Sequence, residues 1–180
     1  GLCAAAGIDP DIDLTTWEKV DAVLGQLKDA GSTCPLTTAW QSWVHLENFS
    51  AYHDTPFATK DNGFGGLDTE LAFNGAAQVA HVGKMGEWAR DGKFIYAGRR
   101  NEGGANFRAG ECALFTESSA GYAGISAEAE FDFDVRPLPY WEAVAAEPQN
   151  TIIGGASLWV MEGHEAAEYK GVAEFLNFLS

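Results

Sequence analysis

Apolar residues Trp17, Val20, Val23, Leu24 and Leu27 recur at steps of three and four, which predicts a helix with one buried stripe. Thr15 or Thr16 can cap its start, and Gly31 stops it near residue 30. Residues 34–38 read as a short strand, and a second helix begins near Trp40, because Trp43, Leu46, Phe49 and Ala51 keep roughly helical spacing. The Asp61-Asn62-Gly63 and Gly65-Gly66 pairs make residues 59–68 a loop. Residues 75–89 are helical by pattern, with Val79, Val82, Met85, Gly86 and Trp88 as candidate core contacts, and 105–109 form a short helix. Residues 112–116 are a compact strand that ends in small polar residues opening another helix. Residues 131–135 alternate apolar and acidic side chains, which predicts a half-buried strand. Residues 152–160 read as an apolar strand with a central glycine pair, and 163–179 as an amphipathic helix with Val172, Phe175, Leu176 and Leu179 on one side. Helices and strands mix throughout without strict alternation, so the class is α/β.

The chain has 180 residues, 46% hydrophobic and 21% charged, enough for one domain with a packed core and too apolar for global disorder. Eleven basic against 26 acidic residues give a net charge of −15. That excludes a nucleic-acid binder, which needs a basic face, and docking on an anionic membrane. The apolar runs fall far short of the ~20 residues of a membrane-spanning helix. Cys3, Cys34 and Cys112 form no metal-binding pair motif and permit one disulfide with a thiol left over. The opening residues 2–10 resemble the end of a helix, a glycine stop and a proline-bearing loop, so a piece of a longer protein is expected.

Few motifs carry chemistry. His164-Glu165-Ala166-Ala167-Glu168 imitates a zinc-protease signature, but its fifth residue is Glu168 instead of His. The sequence calls for no metal and no cofactor. Gly154-Gly155-Ala156-Ser157 lacks the second glycine of a nucleophile elbow, because Trp159 stands in its place. The glycine pair serves either tight packing or close backbone approach to an anionic ligand. Ser118-Ser119 sits where a strand becomes a helix, either as an ordinary cap or as an anion site. Trp40 and Trp43 share a helix face, so at least one suits the core, although a Trp at a loop-to-helix junction can also wall a pocket. Arg90, Lys93, Arg99, Arg100 and Arg108 gather five basic residues that read as a solvated helix end and loop, with a phosphate site as the alternative. No His has a recognisable catalytic partner.

Together these segments resemble the periplasmic substrate-binding proteins of ABC importers for sn-glycerol-3-phosphate, within the extracellular solute-binding proteins related to maltose-binding protein. The resemblance rests on Ala39-Trp40-Gln41-Ser42-Trp43, Leu46-Glu47-Asn48-Phe49-Ser50-Ala51, Asp61-Asn62-Gly63-Phe64, Gly110-Glu111-Cys112-Ala113 with Ser118-Ser119, and Pro148-Gln149-Asn150 with the glycine-pair segment through Met161. It implies one lobe of a periplasmic-binding-protein type II fold, a mixed sheet flanked by helices. Residues 1–150 would be a C-terminal-type ligand-binding lobe, and 151–180 a hinge-crossing strand and helix joining a second lobe. It further implies that Trp40 packs on a glycerol moiety, Ser118 hydrogen-bonds the ligand and Gly155 offers its backbone N–H. The function implied is binding, not catalysis, of glycerol-3-phosphate or a glycerophosphodiester in the periplasm, with delivery to a membrane permease. A sugar ligand on the same fold is the alternative, and a phosphodiester hydrolase a remoter one. The isolated chain would expose apolar surface and self-associate. Cys34 and Cys112 have counterparts in the family, so a disulfide between them is implied. Glu117 departs from the family, which carries a small residue there; its carboxylate would either point away or alter ligand choice.

Overall fold

In a computed structural model, residues 1–156 and 158–179 are described. A short helix α1 (Leu2–Ala5) leads to α2 (Trp17–Asp29), where the Thr16 hydroxyl accepts from the Lys19 N–H and caps the first turn. All five stripe residues of α2 are buried, as their spacing predicts. The strand β1 (Leu36–Thr38) follows, then a bend at Trp40, a π-helical turn (Trp43–Asn48) and α3 (Phe49–Tyr52). Residues Thr59–Asn62, labelled α4, form a turn with Lys60 and Asp61 both at φ 53°. Next come α5 (Ala76–Arg90), β2 (Phe94–Ile95), α6 (Glu102–Arg108) and β3 (Leu114–Thr116). A 3-10 turn (Ser119–Gly121) runs into α7 (Tyr122–Glu128), and α8 (Ala166–Leu179) is the last described element.

The sheet has the order β2-β1-β3 with all strands parallel. Central β1 is buried along its whole length, as a parallel strand between two neighbours must be. The sheet expected to be mixed is therefore parallel among its described strands; the antiparallel bridge Ala58–Leu71 lies outside it. The α/β class stands.

The core gathers Trp17, Val20, Val23, Leu24 and Leu27 of α2 with Leu36, Met85, Trp88 and Phe94. Asp21 fastens this layer from its margin. It accepts from Trp88 Nε1 (2.8 Å) and Lys93 Nζ (2.7 Å) and pairs with Lys84 Nζ (2.9 Å). Burial works to raise the Asp21 carboxyl, but these donors outweigh it and hold it below its ordinary range. Cys34 and Cys112 form a disulfide just ahead of β1 and β3, pinning the amino ends of two adjacent parallel strands.

Three expectations require correction. On α5, Met85 and Trp88 are buried, but Val79 and Val82 are 60% and 51% exposed. The buried stripe is Gln78, His81, Met85 and Trp88, which keeps helical spacing but includes two polar residues satisfied by hydrogen bonds. Residues 131–135 form no strand. Phe131 and Phe133 are half-buried against Phe107, as the alternation implies, but no ladder partner lies alongside. Residues 152–156 and 158–160 are likewise not in a strand, and they are exposed; Ser157 lies outside the described residues. A strand needs a neighbour to satisfy its backbone, and neither segment has one among the described residues.

Candidate ligand site at the carboxyl edge of the sheet

Parallel strands end together, so residues that follow them share one edge of the sheet, the edge where open α/β sheets bind ligands. Thr38 of β1 pairs with Thr116 of β3 in register. Trp40 stands two residues beyond Thr38, and Ser118 two residues beyond Thr116. The two predicted ligand residues therefore leave the sheet at the same edge on neighbouring strands.

Trp40 is 41% exposed, although Leu36, Ala39 and Val44, which flank it in sequence, are buried. Its backbone has φ 47°, a left-handed conformation that a bulky residue adopts at a cost of about 1–3 kcal/mol. Both neighbouring peptides are held. The Trp40 N–H donates to Arg100 O (2.7 Å), and Trp40 O accepts from Val44 N–H (2.9 Å), which starts the following helical segment. Trp43, three residues on, packs elsewhere: a Cβ added at Gly154 would lie 3.6 Å from its ring. That contact, with the Ile152 N–H donating to Asn48 Oδ1 (2.8 Å), holds the start of the glycine-pair segment beside the π-helical turn that follows Trp40. Gly155 itself is exposed, and a Cβ there would meet nothing within 4 Å.

Ser118 caps the 3-10 turn: its Oγ accepts from the Ala120 N–H (3.2 Å), which leaves the hydroxyl proton free to donate. Glu117 is half-buried and turns back so that Oε1 accepts from the Ser118 N–H (2.7 Å). Its side chain also lies against Gly121, where an added Cβ would come within 2.8 Å of Glu117 Cγ. Burial raises the Glu117 carboxyl, and the Ser118 N–H and the charge of Arg108 oppose that rise. The carboxylate thus takes up a donor that an anion at this turn would otherwise use.

The Arg99-Arg100 loop belongs to this edge and was not assigned to it from sequence. Both arginines are exposed and have no ion pair among the described residues, while Lys93 pairs with Asp21 and Arg108 with Glu128. The signal available was a basic dipeptide after a glycine, which composition alone cannot separate from ordinary surface. Neither of the two described cavities is lined by Trp40, Ser118 or Gly155. One, about 520 Å³, is bounded by His53, Asp54, residues 144–147 and Gln149; the other, about 340 Å³, lies between the π-helical turn and α5. Trp40 and Ser118 lie at the open edge of the sheet instead.

A parallel α/β unit with an exposed aromatic ring and a free hydroxyl at its carboxyl edge is the fold class in which ligands sit beyond the strand ends. The profile of the bacterial extracellular solute-binding proteins matches residues 3–180, and the chain belongs to that family. It is 46% identical over 97% of its length to the sn-glycerol-3-phosphate-binding periplasmic protein UgpB of Pectobacterium atrosepticum, of which it covers 39%. The proteins of the same name from Yersinia pestis and Salmonella typhimurium are 45% and 44% identical over 97% of the chain, with 40% of each covered. The chain thus spans about two fifths of the length of these relatives. Among solved structures, UgpB from Mycobacterium tuberculosis in complex with glycerophosphocholine has the same fold over 82% of this chain and 37% of its own, with a TM-score of 0.60 at 22% identity. Among the described residues no helix is long and apolar enough to cross a membrane.

Proposed function

We propose that the chain is one lobe of the periplasmic substrate-binding component of an ABC importer, and that the intact protein closes two lobes on glycerol-3-phosphate or a glycerophosphodiester. The observation that carries this is the register pair Thr38–Thr116, which sends Trp40 and Ser118 off one edge of the sheet. Trp40 packs on the C–H face of the glycerol unit, Ser118 donates its hydroxyl proton to the phosphate, and Gly155 offers its N–H. Ligand bridging both lobes biases the protein towards the closed form, which a membrane permease reads. Residues 1–150 supply the ligand-binding lobe, while 151–180 cross to the second lobe and lend it α8. We read the function as binding without turnover, which the engagement of both ring nitrogens of His45, His53 and His81 in hydrogen bonds supports.

The exposed Trp40 ring equally suits the C–H face of a sugar, which keeps a carbohydrate ligand as the second reading. Calorimetric titration of the intact protein with glycerol-3-phosphate, glycerophosphocholine and maltose separates them. Binding of either phosphate compound, weakened at least about tenfold by Trp40→Ala and by Ser118→Ala, is expected. Binding of maltose alone would replace the first reading with the second. Turnover of a glycerophosphodiester that Ser118→Ala abolishes would overturn the non-enzymatic assignment.

A further inference from the structure

Trp40 keeps an unfavourable backbone conformation, and something must hold it there. Its preceding peptide, Ala39–Trp40, is fixed at both polar atoms. The N–H donates to Arg100 O, and Ala39 O accepts from the Thr38 hydroxyl at 3.0 Å. Thr38 has one hydroxyl proton, aimed at Ala39 O with Thr116 O farther off at 3.3 Å, so towards any donor its oxygen is an acceptor. Two donors reach it: Thr116 Oγ1 at 2.8 Å and His45 Nε2 at 3.1 Å. His45 Nε2 is also 3.0 Å from Thr116 Oγ1.

The proton order in this cluster follows from its far end. Trp141 Nε1 lies 2.9 Å from His81 Nδ1, and an indole N–H can only donate. His81 Nδ1 is therefore an acceptor, and its neutral ring carries hydrogen on Nε2. That nitrogen is 3.2 Å from His45 Nδ1, which must accept in turn. His45 then carries hydrogen on Nε2 and donates it to the threonine pair. The chain thus runs one way: Trp141 donates to His81, His81 to His45, His45 to the threonine pair, Thr116 to Thr38, and Thr38 to the carbonyl of Ala39. Trp141 is itself anchored, because its backbone N–H donates to His53 Nε2 at 2.8 Å while His53 Nδ1 donates to Phe49 O at 2.8 Å.

We infer that this one-directional chain of neutral side chains, begun by the Trp141 indole, is the device that positions Trp40 for ligand, so that His45, His81, Thr38, Thr116 and Trp141 are positioning residues of the site. The inference rests on the functional reading above for its ligand arm only. Thr38, His45 and His81 are between 1% and 3% exposed, while Thr116 and Trp141 are half-buried, so water is kept from the middle of the chain and from its last donor. Burial also disfavours the proton on both rings, and His45 and His53 add to the effect at His81. The groups packed on the two rings are Trp17, Phe49 and Trp141. None of these carries a charge to stabilise an imidazolium.

The test has an arm that needs no ligand. In the intact protein, long-range nitrogen NMR of the imidazoles is expected to show His45 and His81 both neutral with hydrogen on Nε2, and His53 with hydrogen on Nδ1, from neutral pH to about pH 5. Hydrogen on Nδ1 of His45 or His81, or an imidazolium in that range, overturns the chain. Thr38→Val removes the last donor, and Thr38→Ser keeps it. The Val variant is expected to speed exchange of the Trp40 amide at least about tenfold and to weaken glycerol-3-phosphate binding about tenfold, with the Ser variant near the parent in both. Unchanged Trp40 exchange in a folded Thr38→Val overturns the positioning role. If the parent itself binds no glycerophosphate while the tautomers and the exchange contrast are as expected, the functional reading fails and the positioning of Trp40 stands.

Discussion

Residues 1–150 and 151–179 carry apolar residues arranged with equal regularity, yet only the first stretch buries them. Helices α2 and α8 are the clearest contrast. On α2, Trp17, Val20, Val23, Leu24 and Leu27 are 0–3% exposed; on α8, Val172, Phe175 and Leu179 are 37–55% exposed, and Phe178 is 84% exposed. The segment before α8 repeats the lesson, with Ile153 95% and Trp159 84% exposed. An amphipathic pattern states which face of an element seeks cover, and burial follows only where a second layer exists to supply it. In α2 that layer is α5 and β1 of the same chain. For α8 none is present among the described residues, which agrees with a chain that covers two fifths of its relatives.

This contrast can be broken from either side. The largest effect is expected from acid. His45 is held neutral by burial, with its pKa lowered to about 3, and that of His81 is lowered well below the ordinary value. The unfolded chain takes up these protons near pH 6.5 and the folded chain does not, so their contribution is complete above pH 6.5 and shrinks as pH falls towards the folded values. Each imidazole then costs up to about 1.4 kcal/mol per pH unit, a large share of the roughly 5–15 kcal/mol that holds a domain folded. Chemical denaturation at successive pH values, read by tryptophan fluorescence, checks this; stability unchanged between about pH 6.5 and pH 4.5 would contradict it.

Next in size is Trp17→Ala, which empties the centre of the core and is expected to cost about 3–5 kcal/mol in denaturant midpoint measurements. The Cys34→Ser/Cys112→Ser pair opens a loop spanning a sequence separation of 78 residues and is expected to cost about 2–5 kcal/mol by the same measurement. A smaller loss, about 1 kcal/mol or more, is expected from Gly103→Ala, since an added Cβ would collide with the Thr38 carbonyl at the site's edge. Phe178→Ser, on the exposed side of α8, is expected to change stability by less than about 0.5 kcal/mol in the isolated chain. A loss comparable to that of Trp17→Ala would mean that α8 has a partner within this chain.

The same contrast explains what could be read from the sequence. Helix α2 was legible to within a residue at each end, and in its whole buried stripe, because that stripe is apolar and a threonine stands at the cap. Helix α5 was legible as a helix, but its buried face was misassigned: Gln78 and His81 face inward because Ser50, Thr55, Pro56, His45 and Trp141 satisfy them. Such satisfaction comes from distant segments and leaves no periodic trace. Strand β2, two residues long, carries no pattern at all, and residues 131–135 and 152–160 carry a strand pattern without a neighbour to pair with. At the site, Trp40 and Ser118 stood out as a tryptophan and a serine at element junctions. The Arg100 carbonyl and the His45–His81 pair did not, because each depends on which distant residues the sheet brings together.

The most direct test of the binding assignment is a crystal structure of the intact protein grown with glycerol-3-phosphate. The ligand is expected between two lobes, its glycerol carbons against the Trp40 indole, and its phosphate within hydrogen-bond reach of Ser118 Oγ and the Gly155 N–H. A ligand seated in the cavity beside His53 and Gln149, or touching none of those three residues, would contradict it.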